Sequence, residues 1–162
     1  MPTLENLSPE VLESLTAGVR FVSLATLSEN GPVVRSLGSW AIRGSTLYFS
    51  TSRSSNKVAQ LARDPRVSIQ LLAEGQELPK LRNLVLNGSA KLLEGDERTV
   101  AIETLGLRNP RFKERADKGQ LGDTAIYAVT ATQAKVLDFS KGVGPAALTV
   151  FEETTLPSTP AA

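Results

Sequence analysis

The sequence contains no cysteine and no histidine. Without Cys there is no disulfide, no thiolate nucleophile and no Cys-based zinc or iron–sulfur site. Without His the commonest general base, the usual metal ligand and the usual axial ligand of haem are missing, and a Ser-His-Asp triad cannot be assembled. Aromatic residues are scarce, with five Phe, two Tyr and one Trp. Neither sign of charge dominates: 18 Lys and Arg face 17 Asp and Glu, a net charge of +1, and no polybasic block occurs. Affinity for nucleic acid or for an anionic membrane therefore has little electrostatic support. No apolar run approaches the length of a membrane-spanning helix. The acidic, Pro-containing start "MPTLENLSPE" does not read as a signal peptide. A cytoplasmic protein is expected, with neither nucleic acid nor membrane as partner and with no metal site. Its chemistry must come from carboxylates, Lys, Tyr, hydroxyls or a bound cofactor.

The chain of 162 residues has the length of one domain with a real core. A helix is expected from Ser8, with Pro9 as its first residue and Gly18 as its stop. Strand composition follows over 20–27, 32–43, 47–51, 66–72, 82–93 and 124–139. Asn30-Gly31 is expected in a hairpin turn between the first two of these. Between the third and fourth lies a helix, "NKVAQLAR", ended by Asp64-Pro65. "GDERTVAIETLG" is amphipathic, and "NPRFKERADKGQ" reads as polar helix and loop. Strands joined by tight turns imply antiparallel pairing, so the expected fold is mainly β: a six-stranded, closed or partly closed antiparallel barrel with flanking helices. One domain is expected over 1–152, followed by a disordered Thr/Pro/Ala tail over 153–162.

Residues 48–57, "YFSTSRSSNK", concentrate hydroxyl side chains at the start of that second helix. Lys57 falls in its first turn, where the helix dipole disfavours a cation. Two readings are open here: a serine that merely caps the helix beside a solvated lysine, or an anion pocket of hydroxyls, free backbone N–H groups and Lys57. Arg35 bears on the choice. By the two-residue strand period it shares a face with Val33, Leu37, Ser39 and Ala41, a largely apolar row in which a cation needs a partner.

"VVRSLGSW…LYFSTSRSSNKVAQLARDPRVSIQLL…RNLVLNGSAKLL" resembles the flavin-binding split barrels related to pyridoxamine 5′-phosphate oxidase, including their general stress protein-like members. The ordered pieces run over about residues 19–93. The resemblance implies an FMN-binding split β-barrel, a homodimer with the flavin site at the subunit interface, and a small-molecule substrate or electron donor. It assigns the FMN phosphate to Arg35, Thr51, Ser55 and Lys57, with Ser50 and Ser52 as hydroxyl neighbours. The main chain around Ser36 and Leu37 would lie along the flavin ring, and the Asn83 amide would bond it. Asn56 stands where the vitamin B6 oxidases carry a basic residue, so the clamp has one cation fewer. Trp40 replaces a lysine and is a candidate to stack on or flank a ring, and the substrate-phosphate group falls on Ala101, Leu105 and Asn109. The family's C-terminal Arg-x-His is impossible here. The expected activity is thus FMN-dependent oxidoreduction other than vitamin B6 oxidation, with no catalytic side chain identifiable. A non-catalytic flavin-binding redox or stress-response protein, a deazaflavin-dependent reductase and a cofactor-free barrel are the alternatives.

Other patterns carry less. The letters of Gly142–Ala147 match a dinucleotide fingerprint, but Pro145 interrupts it and too little chain follows for a βαβ unit. Asp96-Glu97 and Glu152-Glu153 read as solvated charges, and Arg108, Arg111, Lys113 and Arg115 as a solvated helix face. Residues 106–122 would either close over the ring as a lid or cover the barrel end. Lys141 is a weak candidate for contact with a partner's site.

Overall fold

The computed structural model describes residues 2–153. Nearly all of the 153–162 segment expected to be a disordered tail lies outside the described residues.

Ser8 starts the first helix, α1 (Pro9–Thr16): its hydroxyl accepts from Val11 N at 3.3 Å, Pro9 takes the first helical position, and Leu12 and Leu15 turn inward. Strands β1 (Val22–Ser28) and β2 (Gly31–Leu37) then form a hairpin. Its last pair is Ser28 with Gly31, so the turn is Glu29-Asn30, one residue earlier than expected. The Ser28 hydroxyl accounts for the shift, accepting from Asn30 N at 3.2 Å and donating to the Gly31 carbonyl at 2.7 Å. Strands β3 (Trp40–Arg43) and β4 (Thr46–Ser52) follow, then α2 (Asn56–Arg63), β5 (Arg66–Leu71) and β6 (Arg82–Leu92). The remainder comprises α3 (Gly95–Arg108), α4 (Pro110–Asp117), β7 (Thr124–Asp138) and β8 (Leu148–Glu152).

Every strand pair is antiparallel, in the order β2-β1-β5-β6-β7-β4-β3, with β8 added to β7. The two ends of that order, β2 and β3, are joined only by Gly38-Ser39, and so short a link holds them within about 11 Å. The sheet therefore curls round on itself into a split barrel. The sheet has eight strands where six were expected. One addition comes from residues 32–43, which are two strands broken at Gly38-Ser39, where a Cβ on Gly38 would lie 3.2 Å from the Phe21 ring. The other is β8, which pairs with β7 over Gln133–Leu137, beyond the end of the β4 ladder at Thr130.

Inside the barrel lie Leu24, Leu47, Ile69, Leu71, Leu84 and Phe49, the last stacked on Tyr127 at 5.1 Å. A second core of Ala41, Leu93, Ala101, Leu105, Phe112 and Ile126 lies on the opposite face of β3, β4 and β7, beneath α3 and α4. Phe112 anchors α4 there, so this part of the 106–122 segment covers the sheet. No helix among the described residues is long and apolar enough to cross a membrane.

Candidate cofactor-binding site

The site is built where β2, β1 and the start of α2 meet. Arg35 pairs with Leu24 across the β1–β2 ladder, which puts its side chain on the inner face. Its Nη2 donates to Thr26 Oγ1 at 3.0 Å and to Gln60 Oε1 at 2.9 Å. Thr26 in turn donates to the same Gln60 oxygen at 2.7 Å. Gln60 stands three residues along α2 from Lys57, on the same side of the helix. Burial pushes the Arg35 pKa down; burial, and then the positive charge of Arg35, pushes that of Lys57 below its ordinary 10.5. Two cations thus share one field, and neither enters an ion pair among the described residues. Thr26 and Gln60 were not among the residues expected from the sequence. A signal existed for Thr26, a hydroxyl on the face that Val22 and Leu24 share in β1.

The hydroxyls extend this group. Ser55 holds the N-cap position of α2 with extended backbone, yet its hydroxyl makes no capping bond and instead meets Thr51 Oγ1 at 3.2 Å. The simple cap reading is therefore not what the geometry shows. Thr51 faces α2, whereas Ser50 and Ser52 point to the other side of β4 by strand alternation. Ser50 bonds Ser39, and Ser52 bonds Ser54 at 2.8 Å. Asn56 is exposed at the first helical position; Ser36 is exposed and Leu37 is buried at the end of β2. Arg35, Thr51, Ser55 and Lys57 are thus drawn together around one helix start. On the outer side of Ser50–Ser52 opens a cleft of about 480 Å³, also lined by Arg115 and residues 120–124.

The family model described as pyridoxamine 5′-phosphate oxidase matches residues 8–138, most of the chain. The chain belongs to this family. No curated protein sequence matches it. Among solved structures it is similar to a haem-binding protein from Mycobacterium smegmatis, with 22% identity and a TM-score of 0.70 over 86% of this chain and 56% of that one. The chain thus spans little more than half of that protein's length. It is also similar to a conserved hypothetical protein from Mycobacterium tuberculosis, at 23% identity and TM-score 0.68 over 85% of this chain and 89% of that one. An FAD-binding protein from Mesorhizobium loti matches at 22% identity and TM-score 0.62, over 80% of this chain and 94% of that one. At these identities the likenesses establish the shared split-barrel fold.

Three positions at which this member departs from the vitamin B6 oxidases are structural. Ala101 and Leu105 are fully buried in the outer core, and the Asn109 side chain accepts from Phe112 N at 3.2 Å to cap α4. The expectation that Trp40 flanks a ring is corrected by its surroundings. It is 1% exposed, its Nε1 donates to the Arg20 carbonyl at 3.1 Å, and the Arg108 guanidinium lies 3.6 Å from its ring centroid. Arg108 also donates to the Val19 carbonyl while its residue stays exposed, as a solvated helix face would be. Asn83 stands apart from the clamp. Leu24, Ile69 and Leu86 carry the Arg35 row across β1, β5 and β6, and Asn83 is three residues further along β6 on the other sheet face. Its Oδ1 is buried with no hydrogen-bond partner among the described residues. Asn83 therefore faces away from the clamp.

Proposed function

We propose that this chain is a flavin-binding oxidoreductase that holds the 5′-phosphate of FMN with Arg35, Lys57, Thr51 and Ser55. The observation that carries this reading is the convergence of Arg35 and Lys57 with no carboxylate paired to either among the described residues. Two like charges held together raise the energy of the ligand-free protein, and a phosphate dianion between them reverses the sign of that term. The Thr51 and Ser55 hydroxyls, paired with each other and not with the helix, are free to turn toward a phosphate oxygen. Gln60 and Thr26 hold the Arg35 head in place. Once bound, the flavin supplies hydride or electron transfer; the chain supplies anchoring and orientation.

The reading extends to a homodimer. Asn83, half-buried on the sheet face opposite the clamp, would then meet a flavin carried by a second copy. Haem is less suited, because with neither His nor Cys its strong axial donors would be the two tyrosines, of which Tyr127 is buried in its stack with Phe49 and only Tyr48 is partly accessible. A flavin carrier without turnover is the second reading, favoured by the buried or capping roles of Ala101, Leu105 and Asn109. Steady oxidation of NADH or NADPH by the flavin-loaded protein supports the enzyme, and stable binding without turnover supports the carrier.

The pH dependence of FMN binding tests the clamp. Lys57 has a depressed pKa in the free protein, so it loses its proton below pH 10.5 as the solution becomes alkaline. FMN affinity is expected to fall with rising pH through that window, and binding is expected to take up protons. Lys57→Arg should remove the fall, because a guanidinium stays charged. An affinity that does not fall as the pH rises toward 10.5 in the wild type would count against Lys57 as a phosphate ligand.

A further inference from the structure

We propose that the apolar cleft between the short turns Leu78–Lys80 and Phe139–Lys141 binds a small aromatic anion, its ring in the cleft and its charge toward Lys80 and Lys141. This does not rest on the flavin reading above. The two turns meet at the end of the β6–β7 ladder, where Phe139 N donates to the Leu81 carbonyl at 3.0 Å, one step beyond the pairing of Arg82 with Asp138. Between them opens a cleft of about 470 Å³, a volume in the range of small-ligand sites. Leu78, Pro79, Phe139, Gly142 and Val143 line it, so no polar side chain does.

The cleft is held open from behind. The Gln76 side chain ties both ends of the 73–82 loop: its Nε2 donates to the carbonyls of Ala73 at 2.9 Å and Arg82 at 3.0 Å, and its Oε1 accepts from Arg82 N at 2.8 Å. In the facing turn the Asp138 carboxylate accepts from Ser140 N at 3.0 Å and from the Ser140 hydroxyl at 2.6 Å. Gly142 N donates to the Phe139 carbonyl at 3.3 Å. Leu78 and Val143 consequently stay 68% and 82% exposed on ordered backbone, and covering them is favourable without any reordering of the walls.

Charge sets the kind of occupant. Lys80 and Lys141 adjoin the lining residues Pro79 and Gly142, both are exposed, and neither enters an ion pair among the described residues. The same segments carry Arg82, which bonds Ser14 at 2.8 Å, and two carboxylates, Glu77 and Asp138. Asp138 is engaged by Ser140, so the free charge beside the cleft is mainly positive. Phe139 offers the ring on which an aromatic ligand can stack.

The test titrates the full-length protein with anilinonaphthalene sulfonate, an aromatic anion whose fluorescence rises on leaving water. About one probe per chain is expected to bind, and naphthoate is expected to displace it at least about threefold more strongly than the neutral naphthalenemethanol, the effect of an exposed charge pair. Val143→Asp should cut probe affinity by about tenfold or more, through lost apolar contact and repulsion. The variant should fold, because Val143 is exposed and holds the N-cap of the turn Gly144–Ala147, a position that favours Asp. No saturable binding, or binding that Val143→Asp leaves unchanged, overturns the site. Equal displacement by the acid and the alcohol overturns the anion. Probe lost in Arg35→Ala/Lys57→Ala and kept in Val143→Asp lies in the clamp and overturns the cleft. A wild-type assembly that Val143→Asp dissociates puts a second copy in the cleft, and overturns it equally.

Discussion

Replacing Arg35 and Lys57 together by Ala is expected to abolish flavin binding in a protein that remains folded. Each cation contributes a charge-assisted bond to phosphate, about 1.5–3 kcal/mol apiece, so the pair accounts for roughly 10²–10⁴-fold in affinity. The free protein should lose little, because the variant removes two cations that burial and mutual repulsion disfavour. Thr26 and Gln60 still bond each other after Arg35 is gone. A melting temperature near that of the wild type, with flavin fluorescence unquenched on mixing, is the anticipated pair of results. Stoichiometric flavin retained by the double variant would place the phosphate somewhere else. Gln60→Ala is the subtler companion: it leaves both charges but frees the Arg35 head, so flavin affinity should fall less than in the double variant.

Gly88→Ala is expected to destabilise the fold more than any other single methyl addition at a glycine. Gly88 sits where the β6–β7 register shifts, pairing with Ala131 while its neighbour Asn87 pairs with Gln133, and Thr132 is the extra residue. A Cβ at Gly88 would come within 2.1 Å of the Thr130 carbonyl oxygen, a backbone atom that cannot move aside alone. The cost should be about 3 kcal/mol, a fall in melting temperature of roughly 6–12 °C for a domain of this size. Ser89→Ala, at the exposed neighbouring position, should stay within about 0.5 kcal/mol and serves as the control. The bulge also divides β7 into a half that carries β4, and with it Thr51, and a half that carries β8. Loss of register there should therefore weaken flavin binding as well as stability, which thermal melts and titration would show together.

Much of this arrangement was legible before the structure because local signals were consistent with one another. Ser8-Pro9 marked the start of α1, Asp64-Pro65 the end of α2, and the two-residue alternation around Arg35 put that side chain on the inner face. The break at Gly38-Ser39 had a local signal in Gly38, but strand composition on both sides of it outweighed one glycine, and only the structure shows the Phe21 ring close against that position. Strand β8 is short and lies between irregular segments, so it takes its identity from the free edge of β7. Thr26 and Gln60 join Arg35 only through strand register and the placement of α2, information that no single segment contains. Trp40 misled for a related reason. Its position matched that of a ligand-facing residue, but burial and the Arg108 contact are set by α3, more than sixty residues away in sequence. The cleft joining β4 to residues 115–124 likewise forms only when α4 packs down through Phe112.

The most direct measurement is the visible absorption spectrum of purified protein after incubation with excess FMN and removal of free flavin. The clamp of Arg35, Thr51, Ser55 and Lys57 predicts a yellow protein retaining about one flavin per chain, with bands shifted from those of free FMN. A colourless protein that releases all of its FMN would contradict the phosphate clamp, and the convergence of Arg35 and Lys57 would then need another anion to explain it.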